Sequence, residues 1–111
     1  MIDNFNIDIN YKDEPYQHAA LDYAISNNFK ILVILLLKHG ADVNTKSIHN
    51  ETPLHIASIL GYSYIIKLLI KAGADINAES TNGKTPLYWA ITNDSHNHKK
   101  STKLLIESGA R

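Results

Sequence analysis

The side chains with the widest chemical range in this chain are its six histidines. His55 sits inside Thr52-Pro53-Leu54-His55-Ile56-Ala57, and His96-Asn97-His98 precedes Lys99-Lys100. Two histidines at i, i+2 supply half of a zinc site, but the chain has no cysteine and no nearby carboxylate cluster to complete the tetrahedron. No metal is therefore expected, and His96 to His98 read as part of a solvated loop. The lack of cysteine also excludes disulfides and thiol catalysis. No phosphate-binding glycine loop, His-Glu-x-x-His or Gly-x-Ser-x-Gly occurs. Asp42 and Asp75 each follow a glycine-alanine pair, which is a turn position and not an apolar pocket that would set two carboxylates apart for acid–base work. No nucleophile, base and stabiliser converge, so neither an enzyme nor a cofactor is expected.

The elements that position these residues come from a repeat. Gly40-Ala41-Asp42-Val43-Asn44 recurs as Gly73-Ala74-Asp75-Ile76-Asn77, and Thr52-Pro53-Leu54 recurs as Thr85-Pro86-Leu87, both displaced by 33. The same step back from Leu54 reaches Leu21, and Ala57 has counterparts in Ala24 and Ala90. A third pair, Gly109-Ala110, falls 36 after Gly73, so the last unit carries three extra residues, most simply within Asn93 to Lys99. Each unit reads as two short helices and a turn. Thr52 suits an N-cap and Pro53 the first helical position, where its missing N–H costs nothing. Leu54, Ala57 and Ser58 share one helical face, as do Leu87, Ala90 and Ile91. Gly61 and its equivalent Asn28 suit a left-handed helix end, and Asn50 stands where Asn82-Gly83 has its glycine. Lys38 and Lys71 complement helix C-termini.

These features resemble the ankyrin repeat family, whose marks are a 33-residue period and a Thr-Pro-Leu-His-x-Ala motif. The likeness runs from about residue 14 to 111 and implies an all-α solenoid of stacked helix-turn-helix units with β-turn or hairpin loops. The expected units are 14–46, 47–79 and 80–111, the last with the inserted loop. Residues 1–13 are expected to form a degenerate capping half-repeat: Phe5, Ile7 and Ile9 alternate, and Asp8-Ile9-Asn10 echoes Asp75-Ile76-Asn77. Unit one departs from the motif with Ala19-Ala20-Leu21-Asp22, and unit three places Tyr88 in the histidine slot. Unit three also has Ser101-Thr102 where the middle unit has Ile65-Ile66, as a polar outer face on a last repeat would. In this family the motif histidine bonds near the cap and the neighbouring loop, which is the role the resemblance implies for His55.

The resemblance further implies a non-catalytic module, an adaptor, inhibitor or effector, that binds a partner protein on the concave surface of turn tips and first helices. Carried over by position, the middle unit offers Ile48, His49, Glu51, Ile59 and Leu60. Unit three offers Thr81, Asn82, Lys84, Thr92 and Asn93; unit one offers Tyr16 and His18, with Ser26 and Asn27. Ile48, Ile59 and Leu60 are either the apolar centre of a binding site or scattered surface hydrophobes. Trp89 aligns with Ile56 and Tyr23, and is expected to serve inter-repeat packing, to form aromatic anchors of a binding surface with Tyr23 and Tyr88, or both. The alternative function is a structural or assembly protein that self-associates through unit one. Its Ile31-Leu32-Val33-Ile34-Leu35-Leu36-Leu37 is apolar all round, with Ile31 and Ile34 where the middle unit has Tyr64 and Lys67.

Composition narrows the setting. In 111 residues, eleven basic side chains balance eleven acidic ones, and 44% are apolar, an ordinary globular mixture. A neutral chain is expected to offer no electrostatic footprint for nucleic acid or an anionic membrane, and Lys99, Lys100 and Lys103 are too few for one. No basic-apolar leader opens the sequence and the longest apolar run is seven residues, so an intracellular, cytoplasmic or nuclear protein is expected. A monomer is expected over a homo-oligomer. Ten Lys against one Arg, with fifteen Ile and eleven Asn, suggest an A/T-rich genome, and a host cell if the source is a pathogen or virus.

Overall fold

A computed structural model describes residues 8–93 and 95–111, so Phe5 and Ile7 of the expected cap lie outside the described residues. Six helices follow in order: α1 (Ala20–Ser26), α2 (Lys30–Lys38), α3 (Pro53–Leu60), α4 (Ser63–Lys71), α5 (Pro86–Ile91) and α6 (His96–Glu107). None exceeds 12 residues, and helices this short are marginal alone, so tertiary packing must supply their stability. They pair as α1/α2, α3/α4 and α5/α6. The first helices stack α1 on α3 on α5, and the second helices stack α2 on α4 on α6, which gives two layers in a rod of 52 × 27 × 22 Å.

Local sequence sets the helix ends. Thr52 Oγ1 accepts the His55 N–H and Thr85 Oγ1 accepts the Tyr88 N–H, each followed by a proline in the first turn. Unit one has Ala19 at this position, and there the Asp22 carboxylate reaches back to accept the Ala19 N–H at 2.9 Å. Asn28 (φ +58°) and Gly61 (φ +74°) close α1 and α3 in the left-handed region, as their residue types required. At the turn tips the same geometry falls on Gln17, Asn50 and Gly83.

Stacking decides burial. Ala24, Ala57 and Ala90 are all at most 1% exposed, small side chains that let neighbouring helices close in. One position per first helix shows the effect of a neighbour: Ile25 and Ser58 are fully buried, while the matching Ile91 is 57% exposed. The second helices show the converse, with Ile65 and Ser101 fully buried and the matching Leu32 exposed. Ser101 is thus interior, its Oγ donating to the Asn97 carbonyl, and the expected polar outer face does not include it.

The three extra residues of unit three do not form a solvated loop. They add a first turn, His96 to His98, to α6, which is 12 residues long against 9 in α2 and α4. Ser95 caps that turn by accepting the His98 N–H at 3.2 Å, and its hydroxyl donates to His98 Nδ1. His98 Nε2–H then donates to the Ile59 carbonyl at 2.7 Å, and the ring is buried against Gly61. Ser95-x-x-His98 therefore repeats the cap chemistry of Thr52-x-x-His55 on a second helix. The pattern was legible, but only folding brings Ile59 and Gly61 to it.

A Cβ at Gly61 would stand 2.8 Å from the His98 ring, in a backbone conformation that L side chains resist. Gly61→Ala is expected to cost on the order of 2 kcal/mol or more in urea unfolding. His98→Ala removes the clashing ring, so the double variant is expected to be less damaged than the sum of the singles by about 1 kcal/mol. Strict additivity would show that the ring does not rest on Gly61.

Candidate functional site

The exposed tips and first helices are positioned by three sets of contacts that cross from unit to unit. His55 is fully buried: its Nδ1 accepts the Thr52 N–H at 3.0 Å and the Thr52 hydroxyl at 2.9 Å. Its Nε2–H donates to the Lys84 carbonyl in the next tip at 2.8 Å, the register role the motif implied. Burial lowers the His55 pKa below the ordinary imidazole value, against the opposing pull of that carbonyl.

The tips themselves are laddered. The Ile48 N–H donates to the Tyr16 carbonyl and the Thr81 N–H to the His49 carbonyl, both at 2.9 Å. Within tips, Ser47 N–H donates to the Glu51 carbonyl and Ser80 N–H to the Lys84 carbonyl, each at 3.0 Å. These are hairpin-like turns with no strand among the described residues. On the other side of each unit, Asn44 Oδ1 accepts the Asp75 N–H at 2.7 Å while its amide donates to the Gly73 carbonyl at 3.3 Å. Asn10 does the same to Asp42 and Gly40, and Asn77 accepts the Arg111 N–H. The Asp8-Ile9-Asn10 echo thus carries the same hydrogen bonds as the later copies.

On this frame Ile48 (51%), Tyr16 (57%) and Leu60 (38%) expose apolar surface. His49, Thr81, Asn82, Thr92 and Asn93 are also exposed, as are Ser26 and Asn27 in unit one. His18, Glu51, Ile59 and Lys84 are half-buried. Two of these are committed inside the fold through their backbones, since the Ile59 and Lys84 carbonyls accept from His98 and His55.

The aromatic residues form two groups, of which the one in unit one was not evident from sequence spacing. The His18 ring lies between Tyr16, stacked at 6.2 Å, and Tyr23, edge-on at 5.8 Å. The Tyr23 hydroxyl donates to the Asp13 carboxylate, which also accepts the His18 N–H. The tyrosine bond, then the His18 N–H bond, hold the Asp13 pKa below its usual value, and the bond to Asp13 raises that of Tyr23. At the other end Tyr88 and Trp89 meet edge-on at 5.1 Å, with the Lys84 ammonium 4.3 Å above the Tyr88 ring. Trp89 is half-buried and its indole nitrogen is buried without a partner, so its body packs inward while Tyr88 is the exposed member. On α2, Ile31 is 71% exposed and Ile34 half-buried.

A family model described as ankyrin repeats (3 copies) matches residues 46–111, and one described as ankyrin repeats (many copies) matches residues 1–57. The chain belongs to the ankyrin repeat family. Ankyrin repeats are generally protein–protein interaction modules and generally non-enzymatic. Similar proteins include the transient receptor potential channel pyrexia of Drosophila melanogaster, 49% identical over 47 residues. Ankyrin repeat and SOCS box protein 6 of Homo sapiens is 41% identical over 51 residues, and palmitoyltransferase ZDHHC17 of Danio rerio 34% over 53. These stretches cover 42%, 45% and 48% of this ankyrin chain, and 5%, 12% and 8% of those proteins. No helix among the described residues is long and apolar enough to cross a membrane. Nor does any group of three or more His, Cys, Asp or Glu gather there to hold a metal.

Asp22 occupies the histidine slot of unit one and is 2% exposed, and its Oδ1 has no partner. Burial pushes its pKa up to about 6, against the Ala19 N–H bond that favours the anion. A raised carboxyl pKa contributes stability below about 3.8, which is lost as pH rises through about 6. Asp22→Asn is therefore expected to stabilise the protein at pH 8 by roughly 2 kcal/mol, with the gain shrinking as pH falls below 6. Urea titrations of both proteins across pH 4 to 8 check this; a gain independent of pH would refute it.

Proposed function

We propose that this ankyrin module binds a partner protein through its turn tips and first helices, as an adaptor, inhibitor or effector. The observation that carries the reading is that Ile48 and Tyr16 on the tips and Leu60 at the end of α3 expose apolar surface on a scaffold laddered by backbone hydrogen bonds. An apolar centre with a polar rim is how protein interfaces are built. A frame held in register before binding loses little conformational entropy on contact. Exposed Ile48 has no folding task in its side chain, because its contribution to the ladder is its N–H. Its type is thus free to serve recognition. An intracellular setting accords with a chain lacking cysteine and rests on that composition.

A second reading is supported by the outer side of unit one, where Phe29 (54%), Ile31 (71%) and Leu35 (46%) are exposed. Self-association through α2 would cover them.

Ile48→Asp and Leu60→Asp are expected to leave unfolding curves within about 0.5 kcal/mol of the parent, as exposed substitutions do. Each is expected to abolish co-purification of a partner recovered with the parent protein. Capture that survives both would overturn the concave reading. Ile31→Glu with Ile34→Glu is the converse test: light scattering over a hundredfold concentration range should give the monomer mass for parent and variant alike. A parent dimer dissolved by the glutamates would move the function to self-association.

A further inference from the structure

The zero net charge conceals a segregation. The second helices α2, α4 and α6 carry seven lysines and one acidic residue, Glu107, leaving four basic and ten acidic residues for the rest of the chain. The outer layer of second helices is thus cationic, and the balancing acidic residues lie elsewhere in the chain. Between α4 and α6 this layer opens into two adjoining pockets of about 420 and 400 Å³, which share Tyr64, Lys67 and Leu104. Leu68, Leu104 and Ile70 give the recess an apolar floor. Lys67 and Lys71 stand on its α4 side, one turn apart, and Lys100 and Lys103 on its α6 side, all four exposed. Glu107 is the one carboxylate on its rim among the described residues. Tyr64 is 48% exposed at the near end, with Lys30 of α2 5.9 Å from its ring.

We infer that this outer groove is a second binding site, distinct from the tip surface, for an acidic peptide segment that also carries large apolar side chains. Two lysine rails select the charge and the floor selects the apolar residues. Charge complementarity steers and orients such a segment, and burial of its apolar side chains holds it. A recess of this volume suits side chains, whereas a flat bilayer surface would leave it empty. An apolar floor gives a sugar–phosphate backbone nothing to contact.

The test is display of a random short-peptide library against the intact chain. Enriched sequences are expected to be rich in Asp and Glu with Leu, Phe or Ile between them. Fluorescence polarisation of a labelled winner should weaken about tenfold with Lys67→Glu plus Lys103→Glu, and on raising salt. It should be unchanged in Ile48→Asp, which separates this groove from the tip surface. Both lysines are exposed, so circular dichroism and unfolding of the charge-reversed protein should match the parent. Enrichment of peptides without acidic residues, or binding indifferent to the lysine reversals, overturns the inference. So does failure to enrich any peptide when the parent, but not the reversed variant, sediments with phosphatidylserine vesicles; the face would then be a membrane contact.

Discussion

Every unit of this molecule depends on a polar side chain satisfying backbone groups that belong to its neighbour. His55 links the cap of α3 to the Lys84 carbonyl, and Asn10, Asn44 and Asn77 each reach a backbone group some thirty residues on. Helices this short do not hold their own ends, and tips without strands do not hold their own shape. The bridges supply both, because a carbonyl or N–H that would otherwise be orphaned is paired across the boundary. Burial of the alanine column and of Leu21, Leu54 and Leu105 then becomes possible, since the bridges fix the spacing at which those side chains meet.

The departures from the repeat follow from the same constraint. Unit one lacks the cap hydroxyl and the histidine, and its substitute, Asp22, caps Ala19 but leaves one oxygen buried and unpaired. Unit three has Tyr88 in the histidine slot, and its ring turns outward under Lys84. What unit three lacks there it regains on α6, where Ser95 and His98 rebuild the cap and reach back to Ile59. The bridge has moved from the first helix to the second, and its direction has reversed, toward the preceding unit.

The two proposed surfaces lie on different layers. The tips and first helices present scattered polar groups and a few exposed apolar side chains. The second helices present lysines over an apolar floor. A chain of zero net charge thereby gathers its lysines on one layer, and the rod is only 22 to 27 Å across its short axes.

The amino-acid sequence by itself determined the units, their period, the caps at Thr52 and Thr85 and the left-handed ends at Asn28 and Gly61. Those are local matters of side-chain chemistry and backbone sterics, repeated often enough to be unmistakable. The Asp8-Ile9-Asn10 echo pointed to Asn10 as the counterpart of Asn44 and Asn77, and its side chain makes the same kind of bonds, to Gly40 and Asp42. Tertiary structure alone decided which copies of a position are buried: Ile25 and Ile91 are the same residue type in the same slot, yet one is sealed and the other open. It decided that His98 is a buried bridge and not a loop residue, since its partner lies 39 residues away in another unit. It gathered Tyr16, His18 and Tyr23 into one aromatic group, and gathered lysines from two helices into one groove. Period and capping act within a turn or two of chain, whereas burial and charge fields depend on what lies alongside, and only the stacked units place those neighbours.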